Sequence, residues 1–274
     1  MDYNILFLDV DGTLKQEPHP ISEANKAAIL KACKLGKKIT IASGRNKDMI
    51  LPLVKELRLD EFGEAYTISL NGTLIIENTS GKTMQTAKLP LDFTKRLFDK
   101  ANEHNISGHL YTENYLYFNE YNKLFEWYQE QGCQCKLVDL TKEGLGLEET
   151  PLKFFMAAID TDTRILEKVE EELRPYTKGI ANGEYSTPYS IEYTSADASK
   201  GLALKKICDI FNFPIETSIA AGDAENDLSM IEAAGLGIAM KNALPSVKEI
   251  ADTITVRTCL EDGVTEIIEE HLLS

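Results

Sequence analysis

The alternation of apolar and polar stretches along the first sixty residues predicts strands and helices in turn. Residues 5–8 form a short unbroken apolar run, which is typical of a strand buried on both faces in a parallel sheet. A helix is predicted over residues 23–35, with Ser22 as its N-cap. A second strand over residues 38–42 and a second helix over residues 46–57 follow. This order of elements predicts an α/β fold built on a parallel sheet.

The same pattern returns near the end of the chain. The elements predicted there by the same signals are a helix over 201–211, a strand over 218–221, a helix over 227–234 and a strand over 236–240. A further core strand is predicted over residues 66–70. The two ends of the chain are therefore expected to build one sheet together.

The middle of the chain differs, and it holds most of the tyrosines. The strands predicted there cover 107–110, 116–118, 154–159 and 189–193, and the helices cover 92–104, 121–131 and 163–176. Turn-rich crossings lie at residues 78–81 and 182–188. We predict an inserted α+β domain over residues 82–190 and a discontinuous α/β domain over residues 1–81 and 191–274. The alternative is one large α/β domain with long excursions.

Composition and charge exclude several classes of function. The chain of 274 residues has 29 Lys and Arg against 44 Asp and Glu, and its net charge of −15 repels nucleic acid and anionic membranes. No apolar run approaches the roughly 20 residues of a membrane helix, and the first residues lack the basic region of a signal peptide. We therefore expect a cytoplasmic protein. The five cysteines are scattered and odd in number, which favours free thiols over disulfides or a zinc site.

Acidic and small residues directly follow three of the predicted strands. The first strand runs into Asp9 and Asp11, and the second runs into Ser43. The strand near residue 220 runs into Asp223, with Asp227 four residues further on. Ligands of open α/β sheets bind beside the carboxyl ends of the strands, so parallel strands would bring these side chains to one edge. Carboxylates so close repel each other unless a cation lies among them, and an all-oxygen ligand set favours Mg²⁺.

Lys200 adds a cation at the start of a predicted helix, where the helix dipole disfavours positive charge. The acidic cluster or a bound phosphate would compensate this charge; the alternative is a side chain that points into water. Gly12, Gly44 and Gly222 lie beside the polar residues and would let backbone amides approach an anion closely. These parts fit phosphoryl transfer, in which a carboxylate attacks phosphorus and Mg²⁺ offsets the charge repulsion. A second carboxylate two residues on could exchange protons with the leaving oxygen and with water.

Four segments carry a resemblance to the haloacid dehalogenase (HAD) superfamily. In chain order they are Asp9-Val10-Asp11-Gly12-Thr13, Ser43-Gly44-Arg45, Lys200-Gly201 and Gly222-Asp223-Ala224-Glu225-Asn226-Asp227. The first resembles the DxDGT motif of this superfamily and the fourth its GDxxND motif. Residues 71–72, 230–235, 239–243 and 261–264 resemble the Cof-type branch, subfamily IIB. Taken singly, Asp9 and Asp11 could form a turn and Asn226 and Asp227 a helix cap, but the four motifs in order favour the family.

The resemblance implies a Rossmann-like core with helices on both faces of a parallel sheet, and a C2-type cap over residues 82–190. It implies Asp9 as the nucleophile and Asp11 as the general acid/base. The implied Mg²⁺ ligands are Asp9, Asp223 and the backbone carbonyl of Asp11.

The remaining site residues are also implied by the resemblance. Those implied to bind the phosphoryl group are Gly12, Ser43, Gly44 and Lys200, and Lys200 is also implied as a catalytic residue. Asn226 and Asp227 would position the phosphate, a water molecule or Lys200, with Asp227 behind the residues that touch substrate. Arg45 and Asn71 would face the substrate.

We expect a Mg²⁺-dependent phosphomonoesterase for small phosphorylated metabolites, with sugar phosphates favoured over pyridoxal phosphate or flavin mononucleotide. A phosphosugar mutase, which returns phosphate to the sugar, remains an alternative. So does a non-catalytic phospho-acceptor or metabolite-binding regulator. Tyr111 and Tyr117 either line a sugar-binding face or pack in the core of the middle domain. The oligomeric state, monomer or homodimer, stays open.

Overall fold

A computed structural model of the chain describes residues 2–159 and 162–274. These residues divide into two compact units. The first comprises the residues up to Arg45, Ile50–Met84 and Ser199–Ser274, and the second comprises Asn46–Met49 and Gln85–Ala198. The domain boundary predicted after residue 190 falls inside a strand, Ser190–Ser195, and the one predicted after residue 81 lies shortly before the crossing at Met84.

The secondary structure is numbered in chain order. The strands are β1 (Ile5–Leu8), β2 (Lys38–Ile41), β3 (Tyr66–Ser69), β4 (Leu74–Glu77), β5 (Thr83–Gln85), β6 (Ser107–Tyr111), β7 (Leu116–Phe118), β8 (Cys135–Leu137), β9 (Lys153–Ala157), β10 (Ala181–Thr187), β11 (Ser190–Ser195), β12 (Ser218–Gly222), β13 (Leu236–Ala239) and β14 (Thr253–Ile254). The helices are α1 (Glu23–Lys34), α2 (Lys47–Glu56), α3 (Leu91–Glu103), α4 (Lys123–Glu130), α5 (Arg164–Thr177), α6 (Lys200–Phe211), α7 (Leu228–Ala233), α8 (Pro245–Ile250) and α9 (Gly263–Ile267). Short 3₁₀ turns cover Leu70–Gly72, Ile215–Thr217, Glu225–Asp227 and Cys259–Glu261, and a π-helical turn covers Ile268–Leu272.

The first unit is built on a five-stranded parallel sheet with the order β14-β13-β12-β1-β2. All four residues of β1 are buried, as its unbroken apolar run predicted. Ile5 and Phe7 of β1 pack in a cluster with residues of α6 and α7, whereas α1 contacts β2 and α9. The predicted α/β fold with a parallel sheet is therefore confirmed.

Two further features of this unit are the N-cap of α1 and the pairing of β3. Ser22 caps α1, because its Oγ accepts the backbone N–H of Asn25 at 3.1 Å. β3 pairs antiparallel with β4 rather than within the parallel sheet, and Ile68 forms a parallel bridge with Ala42. That bridge joins β3 to the residue that follows β2.

The second unit contains a six-stranded sheet with the order β10-β11-β9-β6-β7-β8. Its pairs are antiparallel except for β7 and β8. One face packs against α3 and α5, in a core that includes Phe98 and Val169. Tyr117 belongs to this core, and the buried Tyr111 hydroxyl lies 2.6 Å from that of Tyr128, which favours the packing alternative for both tyrosines.

The segment 182–188, which we predicted as a turn-rich crossing, is mostly strand β10, so that prediction is wrong. Residues such as Asn182 and Gly183 have low intrinsic strand preference. Here their backbone pairs with β11 from Ala181 to Thr187, and this tertiary pairing overrides local preference.

Two further sequence predictions concern cysteines and membrane helices. All five cysteines are free thiols, as expected. Within residues 2–159 and 162–274, no helix combines the length and the apolar character that crossing a bilayer requires.

Candidate active site

The carboxyl ends of β1, β2 and β12 lie side by side in the first unit. Leu8, the last residue of β1, lies beside Ile41 of β2 and beside Ala221 of β12. The backbone N–H of Asp9 donates to the carbonyl of Ala221 at 3.1 Å. The parallel register therefore brings together the segments that follow these strands and that carry the predicted site residues.

Lys200 connects two of the carboxylates. Its Nζ lies 2.6 Å from Oδ1 of Asp9 and 2.5 Å from Oδ1 of Asp227. Lys200 is the first residue of α6, whose N-cap is Ser199. Burial opposes its charge, but the charges of Asp227 and Asp9 outweigh burial and raise the pKa of the ammonium. The positive charge of Lys200 at the helix N-terminus is thus compensated by two buried carboxylates, and the side chain does not point into water.

Asp227 is fixed by the loop that follows β12. Its Oδ2 accepts the backbone N–H groups of Asp223 at 2.9 Å and Ala224 at 3.1 Å, while its Oδ1 accepts the bond from Lys200. Gly222 is required for this approach, since a Cβ there would lie 2.4 Å from the Cβ of Asp227. Asp227 therefore both orients Lys200 and shapes the loop that carries Asp223.

Three carboxylates crowd together at this point. One ligand oxygen from each of Asp9, Asp223 and Asp227 lies within 4.8 Å of the others. Burial, and then the charge of Asp227, raise the pKa of Asp223 to about 7, although a 2.8 Å hydrogen bond from Thr13 favours its charged form. Burial and the charge of Asp227 also raise the pKa of Asp9 well above its usual range, against the opposing effect of Lys200.

This donor set fits a small hard cation. The three groups offer only oxygen ligands, and a divalent ion among them would offset the burial and the mutual repulsion that together raise the pKa values of Asp9 and Asp223. The group differs from the predicted ligands Asp9, Asp11 and Asp223. The Asp11 side chain is half exposed and forms an ion pair with Arg45. For Asp11, the predicted ligand is therefore its backbone carbonyl, which is the atom that the resemblance implies.

A second group of possible ligands lies in the other unit, at Glu103, His104 and Glu172. Lys100 already pairs with both glutamates, with Nζ 2.5 Å from Glu103 and 2.9 Å from Glu172. Since a lysine already pairs with two of its three members, this group is better described as an ion-pair network than as a metal site.

Asp11 is held by Arg45 through two parallel hydrogen bonds. Nε of Arg45 lies 2.9 Å from Oδ2 of Asp11, and its terminal nitrogen lies 2.6 Å from Oδ1. Glu17 lies 3.7 Å from the same guanidinium, and Lys15 lies 2.6 Å from Glu17. Arg45, predicted to face the substrate, contacts the predicted acid/base in this structure.

The loop after β2 is joined to the turn at Leu70–Gly72. The carbonyl of Ser43 accepts the backbone N–H of Asn71 at 3.1 Å, and Oγ of Ser43 accepts the backbone N–H of Arg45 at 3.2 Å. The side chain of Asn226 donates to Oδ1 of Asn71 at 3.4 Å. Ser43, Asn71 and Asn226, all predicted to bind substrate, are thus linked in one network. Gly44 lies within the same loop, between Ser43 and Arg45.

The turn itself needs unusual backbone geometry. Leu70 and Asn71 are left-handed, with φ of 51° and 55°, and Gly72 has φ of 96°. A Cβ on Gly72 would lie 2.2 Å from the carbonyl oxygen of Ser199, the N-cap of α6. The turn therefore packs directly against the start of the helix that carries Lys200.

Two residues of the site were not assigned from the sequence. Thr13 donates to Asp223, and Nδ2 of Asn242 donates to the carbonyl of Gly12 at 2.7 Å. Oδ1 of Asn242 accepts the backbone N–H of Cys259 at 3.0 Å. Asn242 follows β13, so the rule that polar residues collect after parallel strands could have found it.

Comparisons with known proteins agree with this architecture. A family model described as haloacid dehalogenase-like hydrolase matches residues 6–268. The chain is similar to the 5-amino-6-(5-phospho-D-ribitylamino)uracil phosphatase YcsE of Bacillus subtilis, with 31% identity over 100% of the chain and 97% of the relative. It is also similar to the pyridoxal phosphate phosphatase YbhA of Escherichia coli, with 27% identity over 100% of both chains.

Solved structures give the same result. A haloacid dehalogenase-like hydrolase from Bacteroides thetaiotaomicron matches with a TM-score of 0.85 and 32% identity, over 98% of this chain and 99% of the other. A sugar phosphatase of HAD subclass IIB matches in fold, with a TM-score of 0.82 and 23% identity over 97% and 98%. The predicted family and enzyme class, a phosphomonoesterase, are confirmed. The chain belongs to the haloacid dehalogenase-like hydrolases, in their Cof-type branch.

Proposed function

We propose that this protein is a Mg²⁺-dependent phosphatase that hydrolyses small phosphorylated metabolites through an aspartyl-phosphate on Asp9. The observation that carries the proposal is the buried bridge from Lys200 to Asp9 and Asp227, beside Asp223. A lysine that holds one carboxylate next to a cluster of acidic groups suits a nucleophile that must approach a phosphate anion.

The reaction would proceed in two displacements. The carboxylate of Asp9 attacks phosphorus, and an O–P bond forms as the bond to the leaving oxygen breaks and that oxygen takes a proton from Asp11. Water then attacks the phosphorus, Asp11 takes a proton from the water, and the bond to Asp9 breaks to release inorganic phosphate. Lys200, the hydroxyl of Ser43 and the amide of Gly44 would stabilise the phosphoryl oxygens.

The metal would be held by Asp9, Asp223 and the backbone carbonyl of Asp11, with Asp227 close behind. When bound, Mg²⁺ supplies charge neutralisation between the carboxylates and the phosphoryl oxygens. The fit rests on the crowded, all-oxygen donor set and on the raised pKa values of Asp9 and Asp223.

We propose a sugar phosphate or a phosphorylated cofactor as the substrate. Two relatives are named for a phosphorylated ribitylaminouracil and for pyridoxal phosphate, both small monoesters. The chain's net charge of −15 gives no attraction for nucleic acid, which supports a small-molecule substrate.

The test is phosphate release from a panel of sugar phosphates, pyridoxal phosphate, flavin mononucleotide and p-nitrophenyl phosphate, with Mg²⁺ and with EDTA. We expect metal-dependent turnover in the wild type and none in Asp9→Asn. Undiminished turnover in Asp9→Asn would refute the nucleophile. Isomerised sugar phosphate without inorganic phosphate would identify a mutase, and a phosphorylated Asp9 that persists without turnover would identify a regulator.

A further inference from the structure

The contact between Arg45 and Asp11 joins residues 34 positions apart and engages both carboxylate oxygens. A planar guanidinium that meets a carboxylate through two parallel bonds fixes the direction of that carboxylate as well as its place. The Arg45 side chain is 18% exposed, against 50% for Asp11, so the less exposed partner anchors the more exposed one.

The backbone of Arg45 is itself held in place. Its carbonyl accepts the hydroxyl of Ser69 at 2.7 Å and the N–H of Leu70 at 3.1 Å. Its N–H donates to Oγ of Ser43. Three hydrogen bonds therefore fix the backbone of Arg45, from which the side chain extends, before any substrate binds.

We infer that Arg45 is a positioning residue for Asp11 rather than a ligand of the substrate. The inference rests on the proposed function, in which Asp11 exchanges protons with the leaving oxygen and with water. Each oxygen of Asp11 accepts one bond from Arg45 and keeps a further lone pair, so Asp11 can exchange a proton with the leaving oxygen while Arg45 holds it. Glu17 lies 3.7 Å from the guanidinium and adds a second, more exposed negative charge beside it.

The test is a double-mutant cycle with Arg45→Met, Asp11→Asn and the double variant. The substrates are p-nitrophenyl phosphate and the best alkyl phosphate of the panel. We expect Arg45→Met to lower kcat for the alkyl phosphate about 10- to 100-fold, a part of what general acid–base catalysis supplies, while KM changes less than about threefold. In the Asp11→Asn background the same change should have an effect of less than about twofold, because the residue through which Arg45 acts is already lost.

The leaving group provides a second readout. Nitrophenolate departs without a proton, so its release in the first turnover should change less than about threefold in Arg45→Met. Arg45→Lys should recover part of the alkyl-phosphate rate, since one hydrogen bond and the charge remain. A general loss of structure would lower the rates for both substrates alike, and Arg45→Lys would not restore the alkyl-phosphate rate selectively.

Arg58→Met is the matched control. Arg58 makes the same two-bond contact with Glu61, Nε at 3.0 Å from Oε1 and a terminal nitrogen at 2.5 Å from Oε2, on an exposed turn of the same unit. Its kcat and KM should equal those of the wild type.

A different pattern would overturn the inference. If Arg45→Met raises KM more than about tenfold with kcat preserved, or if its effect multiplies with that of Asp11→Asn, Arg45 binds substrate directly. Either result leaves the proposed function intact, because Asp9→Asn tests that function separately. Absence of turnover in the wild type would overturn both.

Discussion

Nζ of Lys200 lies 2.5 Å from Oδ1 of Asp227, and neither side chain has any exposed surface. When no Mg²⁺ is bound, removing the lysine would leave Asp227 and Asp9 as buried carboxylates without a cation. We predict that Lys200→Met abolishes turnover and lowers the free energy of unfolding by about 3–5 kcal/mol, measured by urea denaturation.

Lys241→Met is the control for that prediction. Lys241 pairs with Glu261 at 3.4 Å, and both side chains are at least half exposed. Its loss should cost no more than about 1 kcal/mol. Equal destabilisation of the two variants would contradict the role given to the buried bridge.

Gly12→Ala should be inactive for a steric reason. A Cβ at this position would lie 2.2 Å from Oδ2 of Asp223, and φ of 95° already disfavours any side chain. We expect a fall in kcat/KM of at least about 100-fold, the effect of displacing a group at a reacting centre by about 1 Å. Gly36 has a similar φ of 85°, but a Cβ there would meet no atom within 4 Å. Gly36→Ala should therefore lose some stability through backbone strain alone and should keep its activity.

Mg²⁺ should stabilise the first unit through the acidic cluster. A ligand at 100 times its Kd adds about 2.7 kcal/mol to the free energy of unfolding. We therefore predict that Mg²⁺ raises Tm in the wild type and that EDTA reverses the rise. Asp223→Asn should lose this response, whereas Glu172→Gln, in the ion-pair network with Lys100, should retain it. A Tm response that survives in Asp223→Asn would place the ion elsewhere.

The second unit should be sensitive to acid through His109. Its ring is fully buried between aromatic side chains, including Phe118 and Phe155, and neither ring nitrogen has a hydrogen-bond partner among the described residues. Burial, and then the charge of Lys153, hold its pKa well below 6.5. Because the folded pKa lies below the unfolded one, the stability contributed by neutral His109 is present above pH 6.5 and declines as the pH falls toward the folded value, by at most about 1.4 kcal/mol per pH unit.

His109→Phe should remove this part of the pH dependence, because no proton binds to the unfolded chain at that position. The measurement is the free energy of unfolding between pH 7 and pH 5, compared with wild type and with His19→Gln at an exposed position. A wild-type slope in His109→Phe would show that other groups cause the acid sensitivity.

The sequence predicted the strand ends well because their signals are local. An unbroken apolar run as short as residues 5–8 favours a buried strand over a helix because of its length, and the acidic residues after it stand out. The HAD family and the phosphatase class followed from the motifs in those same segments, and both are confirmed.

What the sequence could not predict depends on contacts between distant segments. β10 includes Asn182 and Gly183, which have low strand preference, and it is stabilised by its pairing with β11. The partners of Arg45 and Asn242 lie 34 and 230 residues away, and no periodicity encodes such side-chain directions. The roles assigned to the site residues remain predictions for the experiments above.

The hydrogen bond from Thr13 to Asp223 spans 210 residues, so the candidate site closes only when both ends of the chain are present. Ribosomal synthesis proceeds from the N-terminus, and domains tend to fold in the order in which they emerge. β1 and β2 leave the ribosome without β12, whereas almost all of the second unit, Gln85–Ala198, is complete before β12 is translated. During synthesis, the fully apolar β1 can pair with β2 early, but its other edge stays without a partner strand until β12 is translated, and such an exposed strand edge is prone to aggregation.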